Sequence, residues 1–105
     1  MNHKLNSSTD EIVTVSATKK LGKIVKIRIS YNQGSQLIQT VKITGDFFIH
    51  PEEVIEQLEQ RLCGIKLKKI DLENEMKLIL KNSKIFGFDI DSLVEIILKA
   101  CDDKK

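Results

Sequence analysis

The stretch VKITGDFFIHPEEVIEQLEQRL, Val41 to Leu62, is where the chain changes its hydrophobic period from two to 3.6. Pro51 suits the first position of a helix, because its ring fixes φ and its missing N–H would have had no partner there. Glu52 and Glu53 suit the positive end of a helix dipole. Beyond them Val54, Ile55, Leu58 and Leu62 fall within one arc of about 100°, and the four glutamates, including Glu56 and Glu59, lie outside it. The pattern predicts an amphipathic helix that lays one stripe on a sheet and stops near Gly64. On the other side of the corner, Val41 and Ile43 alternate with Lys42 and Thr44 as in a half-covered strand. Between strand and helix stand Gly45, Asp46, Phe47 and Phe48. Adjacent residues of an extended chain point to opposite faces, so Phe47 is expected to enter the core with Val41 and Ile43 while Phe48 points away. An aromatic at the edge of a small domain is a natural interface anchor.

Upstream, alternation recurs in EIVTVSAT, with Val13, Val15 and Ala17 on one face, and in KIVKIRISY, with Val25, Ile27, Ile29 and Tyr31 opposite Lys26, Arg28 and Ser30. Asn32 to Gly34 is turn chemistry, with the glycine as the residue able to take positive φ, and QLIQTVKIT is the third strand. Downstream, Leu72, Met76, Ile79 and Leu80 share a helical face from about Asp71 to Asn82, with Glu73 and Lys77 spaced as an ion pair. SKIFGFDID reads as a connection containing Gly87, and Asp89 or Asp91 is the candidate N-cap of a last, largely buried helix from about Ser92 to Asp102. The expected fold is α+β in two layers: a three-stranded antiparallel sheet followed by about three helices packed on one face.

At 105 residues the chain holds one core and is too short to add a deep, enclosed active site. Residues 1–10 are polar, have no apolar signal-type segment and read as a flexible tail, leaving 11–105 as a single domain. Apolar runs fall short of the roughly 20 residues a membrane span needs, so a soluble, cytoplasmic chain with no membrane partner is expected. The net charge of +2 gives no reason to expect nucleic acid. Lys19, Lys20, Lys23, Lys26 and Arg28 nevertheless form a basic run without an acid. Lys19, Lys20 and Lys23 are its candidate contacts to phosphate or an acidic partner, against the plainer reading of a solvated sheet edge. No interleaved aromatics offer a stacking platform for bases.

A catalytic set does not assemble. His3 lies in the tail, His50 flanks a helix, and neither has an evident partner for proton transfer. Glycine-rich phosphate loops are absent. Cys63 and Cys101 lack metal-ligand spacing, so reduced thiols and no metal site are expected. Cys101 belongs to the apolar arc of the last helix. Cys63 falls about 125° from the centre of its own helix's arc, toward solvent, which keeps open a rival role as a sulfur-acceptor or iron-sulfur scaffold protein.

The stretch ITGDFFIHPEEVIEQLEQRLCGI, Ile43 to Ile65, resembles the C-terminal accessory domain of lipoate-protein ligases, which in many archaea is a separate small subunit. Weaker similarity runs through KKLGKIVKIRIS and GFDIDSLVEIILKA, although only Gly22 stands in the first turn, which is glycine-richer in the family. The resemblance implies a non-catalytic subunit of a two-part enzyme. Its large catalytic subunit would hold ATP, Mg2+ and lipoate, form lipoyl-AMP, and pass the lipoyl group to a lysine of lipoyl carrier domains. This chain would bind no cofactor alone. Its candidate interface with the large subunit is the corner: Gly45, Asp46, Phe47, Phe48, His50 and Pro51.

Overall fold

The computed structural model of the protein describes residues 11–20 and 22–102; the N-terminal tail and His3 lie outside them. Three antiparallel strands, β1 (Ile12–Lys20), β2 (Ile24–Asn32) and β3 (Ile38–Gly45), form a sheet in sequence order. A three-residue strand β4 (Phe48–His50) then leads to α1 (Val54–Leu62), α2 (Lys69–Leu80), a second short strand β5 (Lys84–Phe86) and α3 (Ile90–Asp102). The α+β architecture follows the period change at the corner, with the helices gathered on the apolar side of the sheet.

Alternation decides which side that is. Val25, Ile27, Ile29 and Tyr31 of β2 are buried and the residues between them are exposed or half-exposed. Each large apolar side chain so removed from water contributes about 1.5 to 3 kcal/mol. Register pairs Val15 with Ile29 and Ala17 with Ile27 on one flank, and Ile29 with Val41 and Ile27 with Ile43 on the other. Ile38 and Val41 are three residues apart and in a regular strand would face opposite ways. A bulge opposite Ser30 and Tyr31 brings both to the core face. The turn between β2 and β3 also differs from expectation. Asn32 Oδ1 accepts from the Gly34 and Ser35 amides at 2.9 Å, and Gln36, not Gly34, takes positive φ.

The edge of β3 is covered twice. The segment after α1 runs alongside its start, where the Ile38 amide donates to the Ile65 carbonyl (2.9 Å) and the Gly64 amide to the Ile38 carbonyl (2.7 Å). Further along, the Ile43 amide donates to Glu59 Oε2 at 2.7 Å, and Lys42 Nζ lies 3.8 Å from Oε1. Glu59 is therefore not a solvated residue of an acidic helix face. It is 9% exposed, held there because its carboxylate satisfies an edge amide that sequence periodicity does not reveal.

Pro51 lies outside α1. The i→i+3 bonds Val54 to Pro51 (3.1 Å) and Ile55 to Glu52 (3.3 Å) make residues 51–53 a tight lead-in turn. Next, α2 starts and ends two residues earlier than the periodicity suggests, and packs against α1 and α3. Its ion pair is Glu75 with Arg61 of α1, at 2.9 Å, rather than Glu73 with Lys77. The N-cap of α3 is Asp89, whose Oδ1 accepts from the Ser92 amide at 2.8 Å. The Tyr31 hydroxyl donates to the Cys101 carbonyl at 3.1 Å and so ties β2 to the end of α3.

Candidate docking site

β4 and β5 form a two-stranded antiparallel ribbon, where the sequence pattern suggests only a connection over Ser83–Asp91. Three residues are too few to show alternation. Ile49 faces inward at 8% exposure and pairs with half-buried Ile85. Their neighbours face outward. Phe48 and Phe86 stand directly opposite each other, 70% and 62% exposed, and His50 pairs with Lys84 beside them. Two large rings side by side in water are an apolar patch with no internal purpose.

The corner behind the ribbon explains why the two adjacent phenylalanines part. β3 ends at Gly45, whose φ is +145°, so extension does not continue unbroken from Ile43. Phe47 still turns inward. It is half-buried and meets Phe88 edge-to-face, with centroids 5.0 Å apart at 85°. Gly87 permits that closeness, because a side-chain carbon there would lie 2.8 Å from Phe47 Cβ and 3.1 Å from Lys23 Cβ. Asp46 and Pro51 are exposed, and the Asp46 amide donates to the Ile24 carbonyl at 2.9 Å. The corner, the turn bearing Lys23 and the β4–β5 ribbon thus meet at one end of the molecule.

The three candidate phosphate-contacting lysines do not converge. Lys23 sits by the corner; Lys19 lines a cleft of about 370 Å³ between β1 and α3; Lys20 projects from the opposite side of the sheet. Adjacent strand residues cannot share a face, so the basic run is divided by the fold.

Cys63 is exposed, its Sγ 3.4 Å from the Glu59 carbonyl, whereas Cys101 is buried. Burial pushes the Cys101 thiol up from 9.0 to about 11, and raises Tyr31 above its ordinary value. A folded-state pKa above the unfolded one means that unfolding releases a proton once pH passes the unfolded value. The stabilisation is full below pH 9.0 and is lost as pH rises toward about 11. We expect a thiol reagent at pH 8 to modify Cys63 in the folded protein and to reach Cys101 only on unfolding. Equal labelling rates would contradict the packing of α3.

A model of the family described as bacterial lipoate protein ligase C-terminus matches residues 13–97. Over 45 residues the chain is 38% identical to lipoate-protein ligase A subunit 2 of Thermoplasma acidophilum, covering 43% of this chain and 48% of that protein, about half its length. A solved structure from an archaeal lipoylation system, comprising a bipartite lipoate protein ligase and its E2 lipoyl domain from the same organism, contains a chain of similar fold. The TM-score is 0.71 at 20% identity, over 83% of this chain and 97% of that one. These likenesses lead to ligases and do not favour the sulfur-carrier alternative. No described helix is long and apolar enough to cross a membrane.

Proposed function

The chain belongs to the lipoate protein ligase C-terminal family, and from that premise we propose that it is the non-catalytic small subunit of a two-part lipoate-protein ligase. In this reading it docks on a catalytic large subunit, and the pair activates lipoate with ATP to lipoyl-AMP before transfer to a lysine of a lipoyl carrier domain. The observation that carries the proposal is the outward pair Phe48 and Phe86. They are an anchor for a partner, raised on a ribbon at the corner where the family resemblance is densest. Gly45, Asp46, Phe47, His50 and Pro51 shape the same corner.

Among the described residues no three His, Cys, Asp or Glu side chains converge as metal ligands. In this reading ATP, Mg2+ and lipoate belong to the large subunit. The small subunit acts on the rate through its partner, by excluding water from the pocket or favouring its reactive conformation. Mixing the chain with the large subunit is expected to produce pyrophosphate release that requires both ATP and lipoate, while the chain alone produces none. Formation of lipoyl-AMP by the isolated chain, free of contaminating ligase, would overturn the proposal.

A further inference from the structure

We infer that the uncovered face of the three-stranded sheet docks an acidic protein surface which, resting on the ligase reading above, is the domain that accepts the lipoyl group. The chain segregates its charge by layer. From Ile12 to Gly45, the residues that build the sheet, there are six cations and no acid. From Asp46 to Asp102 there are twelve acids and eight bases. Alternation then sorts the cations of the sheet. Lys20, Lys26, Arg28 and Lys42 stand on the exposed side, opposite the buried Val25, Ile27 and Ile29. Three of them lie in the basic run of the sequence; the fourth joins only through the register of β3.

That register sets Arg28 directly against Lys42. Like charges facing each other across two strands oppose folding. Among the described residues, only Lys42 of the four has a carboxylate partner, Glu59 at the sheet edge. The positive field of the face is therefore left largely uncompensated by the described residues. Between the cations the outward residues include Thr14, Ser16, Thr18, Ser30, Thr40 and Thr44, short hydroxyl side chains that leave the surface flat and able to hydrogen-bond.

This chemistry selects a partner. With no outward aromatic the face has no platform for stacking bases, and its exposed large apolar side chains, Ile12 and Ile24, sit at opposite ends of the β1–β2 pair rather than forming the central core of a permanent interface. A flat, hydroxyl-rich, cationic surface suits a carboxylate-rich protein that arrives by electrostatic steering and leaves soon after. An acceptor that must depart once modified has that requirement. The aromatic ribbon suits the lasting subunit contact instead, so the two surfaces divide stable assembly from transient delivery.

The test titrates the full chain, by calorimetry at low and physiological salt, with the unlipoylated lipoyl domain of its own source organism. The double reversal Lys26→Glu and Arg28→Glu is expected to weaken binding at least about tenfold at low salt and to flatten the salt dependence. Lys68→Glu with Lys81→Glu, on the helical layer, is expected to change affinity by less than about twofold. The milder pair Lys26→Gln and Arg28→Gln, with thermal unfolding of every variant, guards against lost folding and is expected to weaken binding by an intermediate factor. Unchanged affinity in folded sheet-face variants would overturn the inference, as would tighter binding of poly(U) RNA than of the acidic domain. Pyrophosphate release measured with the large subunit and no acceptor tests the ligase reading separately. Its failure would overturn that reading, while the titration still decides the face.

Discussion

Gly45→Ala is expected to destabilise the domain by about 4 kcal/mol or more, enough to unfold a protein of ordinary marginal stability. Two costs combine. The backbone holds φ at +145°, a conformation that a side chain strains against, and an added Cβ would overlap the carbonyl oxygen of Ile24 and come within 3.0 Å of Val25 Cα. Both obstacles are main chain of a central strand, and Val25 is fully buried, so neither can move aside without shifting the core. The corner also carries the bond from the Asp46 amide to the Ile24 carbonyl, which the overlap would break. Denaturant unfolding of the variant beside the parent measures the loss. A difference below about 1 kcal/mol, the cost of an unstrained glycine replacement, would show that the chain turns this corner in another way.

Replacing both exposed rings, Phe48→Ala with Phe86→Ala, is expected to weaken binding to the proposed catalytic large subunit by about 100-fold or more while changing stability by less than about 1 kcal/mol. The rings are 70% and 62% exposed, so little native packing is lost. As cross-strand neighbours they would act as one anchor in the proposed interface, and each single substitution should leave part of the affinity. Phe47→Ala should behave in the opposite sense. Its ring packs on Phe88, and its removal should cost about 2 to 3 kcal/mol of stability, less than a fully buried aromatic. Calorimetric affinity and thermal unfolding of the three variants separate these effects. Parental affinity in the double variant would move the subunit interface away from the ribbon.

The adjacent phenylalanines show how far one-dimensional reading reaches. Their opposite fates were legible from the alternation of an extended chain. The reason differed, since extension breaks at Gly45 and Phe47 is held by a contact with Phe88 across the sequence. Phe86 was invisible as the exposed neighbour of Phe48 because a three-residue strand carries no period. Cys63 and Cys101 separated as expected, Cys101 because it lies on the buried arc of α3 and Cys63 because it stands in extended backbone just past the end of α1.

Local order was what the sequence by itself determined: three alternating strands, an amphipathic helix after the corner, a helix cap at Asp89 or Asp91 and the family resemblance between Ile43 and Ile65. Such features depend on residues within a turn or two of each other, where backbone sterics and hydrophobic period act. Only the tertiary structure decided what those elements bring together across the chain. It paired Phe48 with Phe86, buried Glu59 against the Ile43 amide and moved Lys42 into the face of Lys26 and Arg28. Those outcomes depend on register, and register is set by the whole core at once: a bulge of one residue in β3 reverses which side chains meet water.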